Sequence, residues 1–416
     1  MLLWLILAAC SSDDHDSASA EEGTVTYYED IKPLLATHCT RCHDEGGLGI
    51  GDFTDVDTVL TFAPAMSAAI SEGRMPPPAA DPGCQDYNGS DALTLSDDEK
   101  QTLVSWLDGD APLGDPADEV EVAPVSSELS DPDLVLTIDQ PYTPTFDDPD
   151  HPGNEYRCFV LEKPEDIGNF YITAMAPVVD AAPLAHHAVL FSVDSQTLAT
   201  DYADGFNDGT GTPCFDDGNP VQGMITAWAP GMQPIAFPEG AGMLISASRT
   251  IILQMHYFYS GEDTAGMSDQ TGYAFRIADA VDTSILMVPL TSTDFEIPAG
   301  DDDYTHTETI TNELADLKVY GTFPHMHSLG QRFSATIEHT DGSETCLVEG
   351  EYDFDNQMTY QFTEPLDYAR GDTVRFSCNW NNSTSNPDLP YDEPQTTYYG
   401  EETDEEMCFF FTYGSF

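Results

Sequence analysis

The spacing of apolar positions changes character partway along the chain. From about residue 25 to 110 it is helical. "YYEDIKPLLATHCTRCH" has apolar residues at helical intervals, and "LTLSDDEKQTLVSWLDG" opens on a Ser/Thr cap, carries acids in its first turn and ends near Gly109. A Pro- and Asp-rich stretch, about 111 to 135, breaks this pattern and reads as a linker. Beyond it come short alternating runs broken by Gly, Pro, Asn and Asp: "YRCFVLE", "HHAVLFSV", "TIILQMHYFYS", "LKVYGTFPHMHSLG", "RFSATIEH", "TVRFSCNW" and "CFFFTY". Many short strands separated by turns predict sandwiches or barrels. The β-rich part is long for one sandwich, so two are expected. The predicted organisation is a tether (1–21), an all-α domain (22–112), a linker (113–135) and two all-β sandwiches (136–284 and 285–416). No internal sequence repeat is visible.

The first ten residues, "MLLWLILAAC", resemble a bacterial lipoprotein signal with Cys10 as the lipid-bearing residue, and "SSDDHDSASAEE" would be its tether. No Lys or Arg precedes the apolar run, so a start codon further upstream is expected. No other stretch approaches the roughly 18 apolar residues of a membrane span. The expectation is an extracytoplasmic bacterial lipoprotein, periplasmic or at the outer membrane, touching membrane through the lipid anchor only.

Charge narrows the partners. Twelve Lys plus Arg against 75 Asp plus Glu give a net charge of -63, which repels nucleic acid and anionic membrane surfaces. Hydrophobic residues at 40% are still enough for real cores. Of nine cysteines, Cys10 goes to lipid and Cys39 and Cys42 to the motif below. Cys84, Cys158, Cys214, Cys346, Cys378 and Cys408 remain, an even set in an exported protein, where disulfides are the default. Spacing alone does not pair them.

"CTRCH", Cys39 to His43, has the C-x-x-C-H spacing of c-type haem attachment. Two thiols can bond the vinyl groups of a porphyrin, and the following imidazole lands on the iron. The sixth ligand should be a thioether or a second imidazole. Met75, in the Pro-stiffened "EGRMPPP", is the first choice, with Met66 and His38 as alternatives. The order of CxxCH, Met-Pro loop and closing helix with Trp106 resembles cytochrome c domains, which pass single electrons.

Five of the 11 histidines fall in three strand-like clusters: His186 and His187, His256, and His325 with His327. Each alone could be a hydrogen-bonded core residue. Residues i and i+2 of a strand share a face, so His325 and His327 can grip one ion, copper or zinc rather than magnesium or calcium. His186 and His187 are adjacent and should point to opposite faces. Met407, in "TDEEMCFFF", is either core or a soft third ligand that favours copper(I).

"HHAVLF", "LQMHY", "FPHMHSLG" and "EEMC", in this order, resemble the copper type II, ascorbate-dependent monooxygenases, the family of peptidylglycine alpha-hydroxylating and dopamine beta-monooxygenases. The resemblance covers about residues 130 to 416. It implies two jelly-roll-like β-sandwiches facing each other across a cleft, each carrying one copper. Motif by motif, it implies that His186, His187 and His256 hold an electron-transfer copper. His325, His327 and Met407 would hold the copper that meets dioxygen, with substrate near Met407. Gln254 matches a family position. Cys408 matches a disulfide cysteine with Cys378 as its partner, and Cys158 with Cys214 would be a second bridge. Cys84 and Cys346 have no counterpart. The adjacent histidines can share one ion if the strand bulges and one ring binds through Nδ1, the other through Nε2.

The chain also departs from that pattern. Peptide-amidating members anchor a substrate carboxylate with an Arg two residues before the HxH pair and a Tyr four residues after the Met; here those positions are Phe323 and Phe411. An apolar or aromatic small molecule is the expected substrate. The fused haem domain offers a tethered donor beside, or in place of, ascorbate or a periplasmic electron donor. The expected function is hydroxylation of a C–H bond with dioxygen, using two copper ions and covalently bound haem c. The alternatives are a non-enzymatic electron-transfer or copper-holding lipoprotein and a zinc-bearing structural sandwich.

Overall fold

The computed structural model describes residues 24–45, 47, 49–123, 125–147, 153–201, 210–214, 223–259, 264–400 and 403–416. The expected signal and tether, with Cys10, lie outside the described residues.

Among the described residues from 24 to 112 the regular elements are helices. Helix Lys32–His38 continues a π-helical turn, Tyr27–Ile31. Helix Val56–Ser71 starts at Asp55, whose carboxylate accepts the Thr58 N–H at 2.9 Å. Helix Asp97–Asp108 has the expected cap: Ser96 and Glu99 exchange side-chain hydrogen bonds with each other's backbone N–H, and Gly109 ends it. The apolar faces close on Tyr27, Ile31, Leu35, Val59, Leu103 and Trp106, a small core of their own.

The rest is built from strands. The five-stranded sheet of the first half runs in the order Thr212–Pro213, Asn154–Leu161, Arg249–Phe258, Ala185–Asp194, Met224–Trp228, all antiparallel. The second half has a four-stranded antiparallel sheet, Tyr304–Thr311, Thr373–Trp380, Gly330–Glu338, Glu344–Glu351. Strand Gly330–Glu338 alternates buried and part-exposed positions from Phe333 onward, as a strand with one covered face must.

A nine-stranded sheet joins the halves. Strand Thr283–Ser292 begins parallel to Ala241–Ile245 and continues antiparallel to Cys408–Ser415, so one sheet passes from one half into the other. Further ties hold the halves in register. The buried Tyr413 hydroxyl donates to the Ile225 carbonyl at 3.1 Å, and the Gln361 amide exchanges hydrogen bonds with the backbone of Ala236.

The helical unit is fastened to the second half by the segment after its Met-Pro loop. Ala80 bridges to Gly350 and Tyr87 to Phe362, extending two sheets by one rung each. Gly350 is required there, because a Cβ would stand 2.6 Å from the Ala79 carbonyl oxygen. Between these rungs Cys84 is bonded to Cys346, the pair that had no counterpart in the resemblance.

Candidate metal centres

Two histidine sets meet at one cavity. In the first, strand Ala185–Asp194 pairs with Arg249–Phe258 so that Ala185 faces Tyr257 and His187 faces His256, leaving His186 as the extra residue of a bulge. The bulge brings the adjacent histidines to one side. Ligand atoms of His186, His187 and His256 lie within 4.8 Å of one another. His186 Nδ1 is 3.2 Å from His256 Nδ1, which is 3.5 Å from His187 Nδ1.

Three Nδ1 atoms therefore converge. The expected mixture of Nδ1 on one adjacent ring and Nε2 on the other is corrected: the bulge reorients His186 enough for both rings to present the same atom. Two of the three outer nitrogens have partners, while His187 Nε2 is buried without a hydrogen bond. His256 Nε2 pairs with Asn154 Oδ1 at 2.8 Å, and His186 Nε2 lies 3.4 Å from Asp355 Oδ1. An outer nitrogen that donates a proton leaves the inner one a lone pair, the tautomer a metal needs. Burial, reinforced by the neighbouring imidazoles, lowers His187 to about 3 and His256 well below the ordinary value. Both rings stay neutral and ready to ligate.

The second set sits where strand Leu317–His325 ends. Met326 is buried in the core, while His325 and His327 line the cavity with their rings 5.2 Å apart. Here the Nδ1 atoms are the outer ones. His325 Nδ1 pairs with Gln357 Oε1 at 2.6 Å and His327 Nδ1 with the Glu405 carbonyl at 3.1 Å, so the nitrogens that these two rings would offer an ion are the Nε2 atoms. Burial lowers His325 to about 4 although Gln357 opposes the shift. Met407 lines the same cavity because strand Cys408–Ser415 pairs with Leu317–His325, His325 facing Phe409.

Glu406, fully buried beside Met407, accepts the backbone N–H groups of His327 and Leu329 and the Trp380 indole N–H at 2.8–2.9 Å. It pins the turn that carries His327 to the start of the last strand. Burial raises its carboxyl to about 7 against the pull of those donors. The Cys378–Cys408 disulfide adds a covalent tie at the same place, and Cys158–Cys214 closes as the resemblance implied.

The shared cavity, about 520 Å³, is walled by Trp228, Met287, Phe323, Phe354, Phe409 and Phe411, with Gln254 at its edge. Phe323 stacks 5.9 Å from His325 and 6.1 Å from Phe411, so the two positions that depart from the peptide-amidating pattern form one aromatic surface beside the second set. Imidazoles on one side and imidazoles with a thioether on the other are donors that suit copper, and thioether is a ligand zinc seldom takes. Copper held there would supply one-electron chemistry at each set, and His325, His327 and Met407 would leave it room for a further ligand.

Glu406 stood next to Met407 in the quoted motif but carried no assigned role. Asp355, Gln357, Phe354 and Asn154 left no local signal: each reaches its histidine from a distant segment. Of the haem-motif residues, Cys39 and Cys42 are not bonded to each other, and His43 Nδ1 pairs with the Ile50 carbonyl at 3.1 Å. His43 stacks on Phe53 at 4.3 Å. Met75 is half-exposed on the turn after helix Val56–Ser71, whereas Met66 and His38 are buried.

Comparison with known proteins agrees with this geometry. Residues 143–263 match the family described as copper type II ascorbate-dependent monooxygenase, N-terminal domain, and residues 281–413 match its C-terminal domain. The chain belongs to this family and is a copper monooxygenase, an oxidoreductase. Members use dioxygen, a substrate and ascorbate as electron donor, and typically bind two copper ions. That membership decides against the copper-holding and zinc alternatives. No curated protein matches the chain. Among solved structures it is similar to the major capsid protein P2 of bacteriophage PM2, at 7% identity and TM-score 0.25 over 63% of this chain and 97% of that one. It is also similar to the VP2 subviral particle of infectious bursal disease virus, at 12% identity and TM-score 0.16 over 64% and 55%. Likenesses this weak bear on neither site nor function.

Proposed function

We propose that the chain hydroxylates a C–H bond of an apolar or aromatic small molecule, with electrons supplied through a c-type haem held by Cys39, Cys42 and His43 and with Met75 as sixth ligand. The helical unit is then a cytochrome c domain. The reaction consumes one dioxygen, two electrons and two protons; one oxygen atom enters the product and the other leaves as water. The observation that carries this reading is the placement of the CxxCH motif. A Cβ on Gly231 of the first half would lie 2.9 Å from Cys42 Sγ, and the Arg41 guanidinium donates to the Gly231 carbonyl at 3.4 Å, so the motif packs against the first of the two halves. The free thiols and the oriented His43 fit haem attachment. Phe323 and Phe411 support an apolar substrate.

An exported, lipid-anchored protein with Cys10 as the modified residue belongs to the same proposal, since haem attachment and three disulfides suit an extracytoplasmic compartment. The test is a screen of aromatic and aliphatic compounds that follows oxygen consumption by copper-loaded protein with its haem reduced. Haem oxidation matched to product supports the proposal. Protein matured in a haem-attaching host that shows no covalent haem spectrum would remove the haem half, and turnover only with carboxylate-bearing peptides would remove the substrate half.

A further inference from the structure

Both histidine sets are supported from a single short loop, residues 353–357, between strands Glu344–Glu351 and Tyr360–Tyr368. The loop belongs to the second half, yet Asp355 reaches His186 of the first half at 3.4 Å while Gln357 holds His325 at 2.6 Å. Between these two anchors stands the Phe354 ring. Its centroid is 6.0 Å from that of His187 and 6.2 Å from that of His327, and it is nearly perpendicular to both, at 84° and 86°. These are edge-to-face ring contacts within the usual range of about 4.5–7 Å. Asn356 ties the same loop to the helical unit, donating to the Pro78 carbonyl at 3.0 Å.

This inference rests on the function proposed above, in which the two-electron reaction takes place at the second set and one of its electrons is stored at the first. That electron must cross the cavity. A gap without packed atoms couples two sites poorly; a ring in contact with one histidine of each set spans part of it. We propose that Phe354 is a positioning residue that sets the separation of the two copper centres and provides the contact through which they exchange an electron. In that step no bond forms or breaks: copper(I) at the first set becomes copper(II) as copper(II) at the second becomes copper(I), and the family's reductant restores both.

The test uses the full chain loaded with copper, half reduced under carbon monoxide, which binds copper(I) at the centre with an open position. Flash photolysis releases the carbon monoxide and lets the electron redistribute, followed through the copper(I)–carbonyl infrared band and copper(II) paramagnetic resonance. Phe354→Leu keeps an apolar side chain but removes the ring. It should slow redistribution by about tenfold, the scale on which groups outside the ligand set act, while copper content and both resonance spectra stay as in wild type. Phe354→Tyr, which keeps the ring, should restore the rate. Redistribution in Phe354→Leu at the wild-type rate would overturn the proposal, as would altered copper spectra in that variant, which would make the residue a structural support of the ligands. Because the experiment requires no substrate and reads copper alone, its outcome is independent of the haem and substrate assignments.

Discussion

Cys84 is bonded to Cys346 across 262 positions of sequence, and the bond joins the segment between helices Val56–Ser71 and Asp97–Asp108 of the helical unit to strand Glu344–Glu351 of the second half. The neighbouring rungs at Ala80 and Tyr87 are isolated backbone bridges, and the disulfide between them adds a covalent tie.

The paired substitution Cys84→Ser with Cys346→Ser should therefore loosen the helical unit without unfolding the strands. The expected cost is about 2–4 kcal/mol, from the larger freedom of the unfolded chain. It should be read as a lower thermal midpoint and as proteolytic cleavage between residues 78 and 88. An unchanged midpoint together with intact resistance to protease would mean that the backbone rungs hold the unit alone.

Met407 lines the cavity together with His325 and His327. Met407→Ala should abolish oxygen-dependent product formation, a larger loss than the roughly 10–100-fold that groups outside the ligand set cost. The first set should keep its copper, because His186, His187 and His256 lie on the other half's sheet. His186→Ala should do the converse, slowing electron delivery while copper remains at the second set. Metal analysis alongside turnover separates the two; activity retained by Met407→Ala would relocate the oxygen site.

Asp372 supplies a pH dependence of stability away from the metal centres. The residue is buried at 1% exposure, and burial alone would raise its carboxyl. His339 at 2.8 Å and the backbone N–H groups of Thr340 and Ala369 at 3.0 Å outweigh burial and hold it below the ordinary value. A carboxyl lowered by folding adds stability above its unfolded pKa, about 3.9, and that contribution is lost as pH falls through the folded value. Asp372→Asn should cost about 1–3 kcal/mol at neutral pH and flatten the acid limb of the stability curve. Denaturant titrations of both proteins across that range check it; parallel curves would show that Asp372 is not the titrating group.

Much of this architecture is legible in the sequence because it is written in near neighbours. A helical period and a Ser96–Glu99 box are set within a few residues, and so is the strand alternation of Gly330–Glu338. The HxH pair announces a shared face over two residues, and CxxCH its attachment chemistry over five. His256 and Met407 joined their sets through resemblance to a family, since nothing in their own surroundings distinguishes them from core residues. Folding alone decided the rest. The bulge at His186 depends on pairing with a strand some 70 residues on, and it turned two opposed side chains into partners that offer the same nitrogen. The shared sheet through Thr283–Ser292, the Cys84–Cys346 bond and the loop that sets Phe354 between His187 and His327 are likewise contacts between distant segments. Local sequence specifies which side chains a strand or helix presents; which of them meet is determined by the packing of whole sheets, where the buried area is.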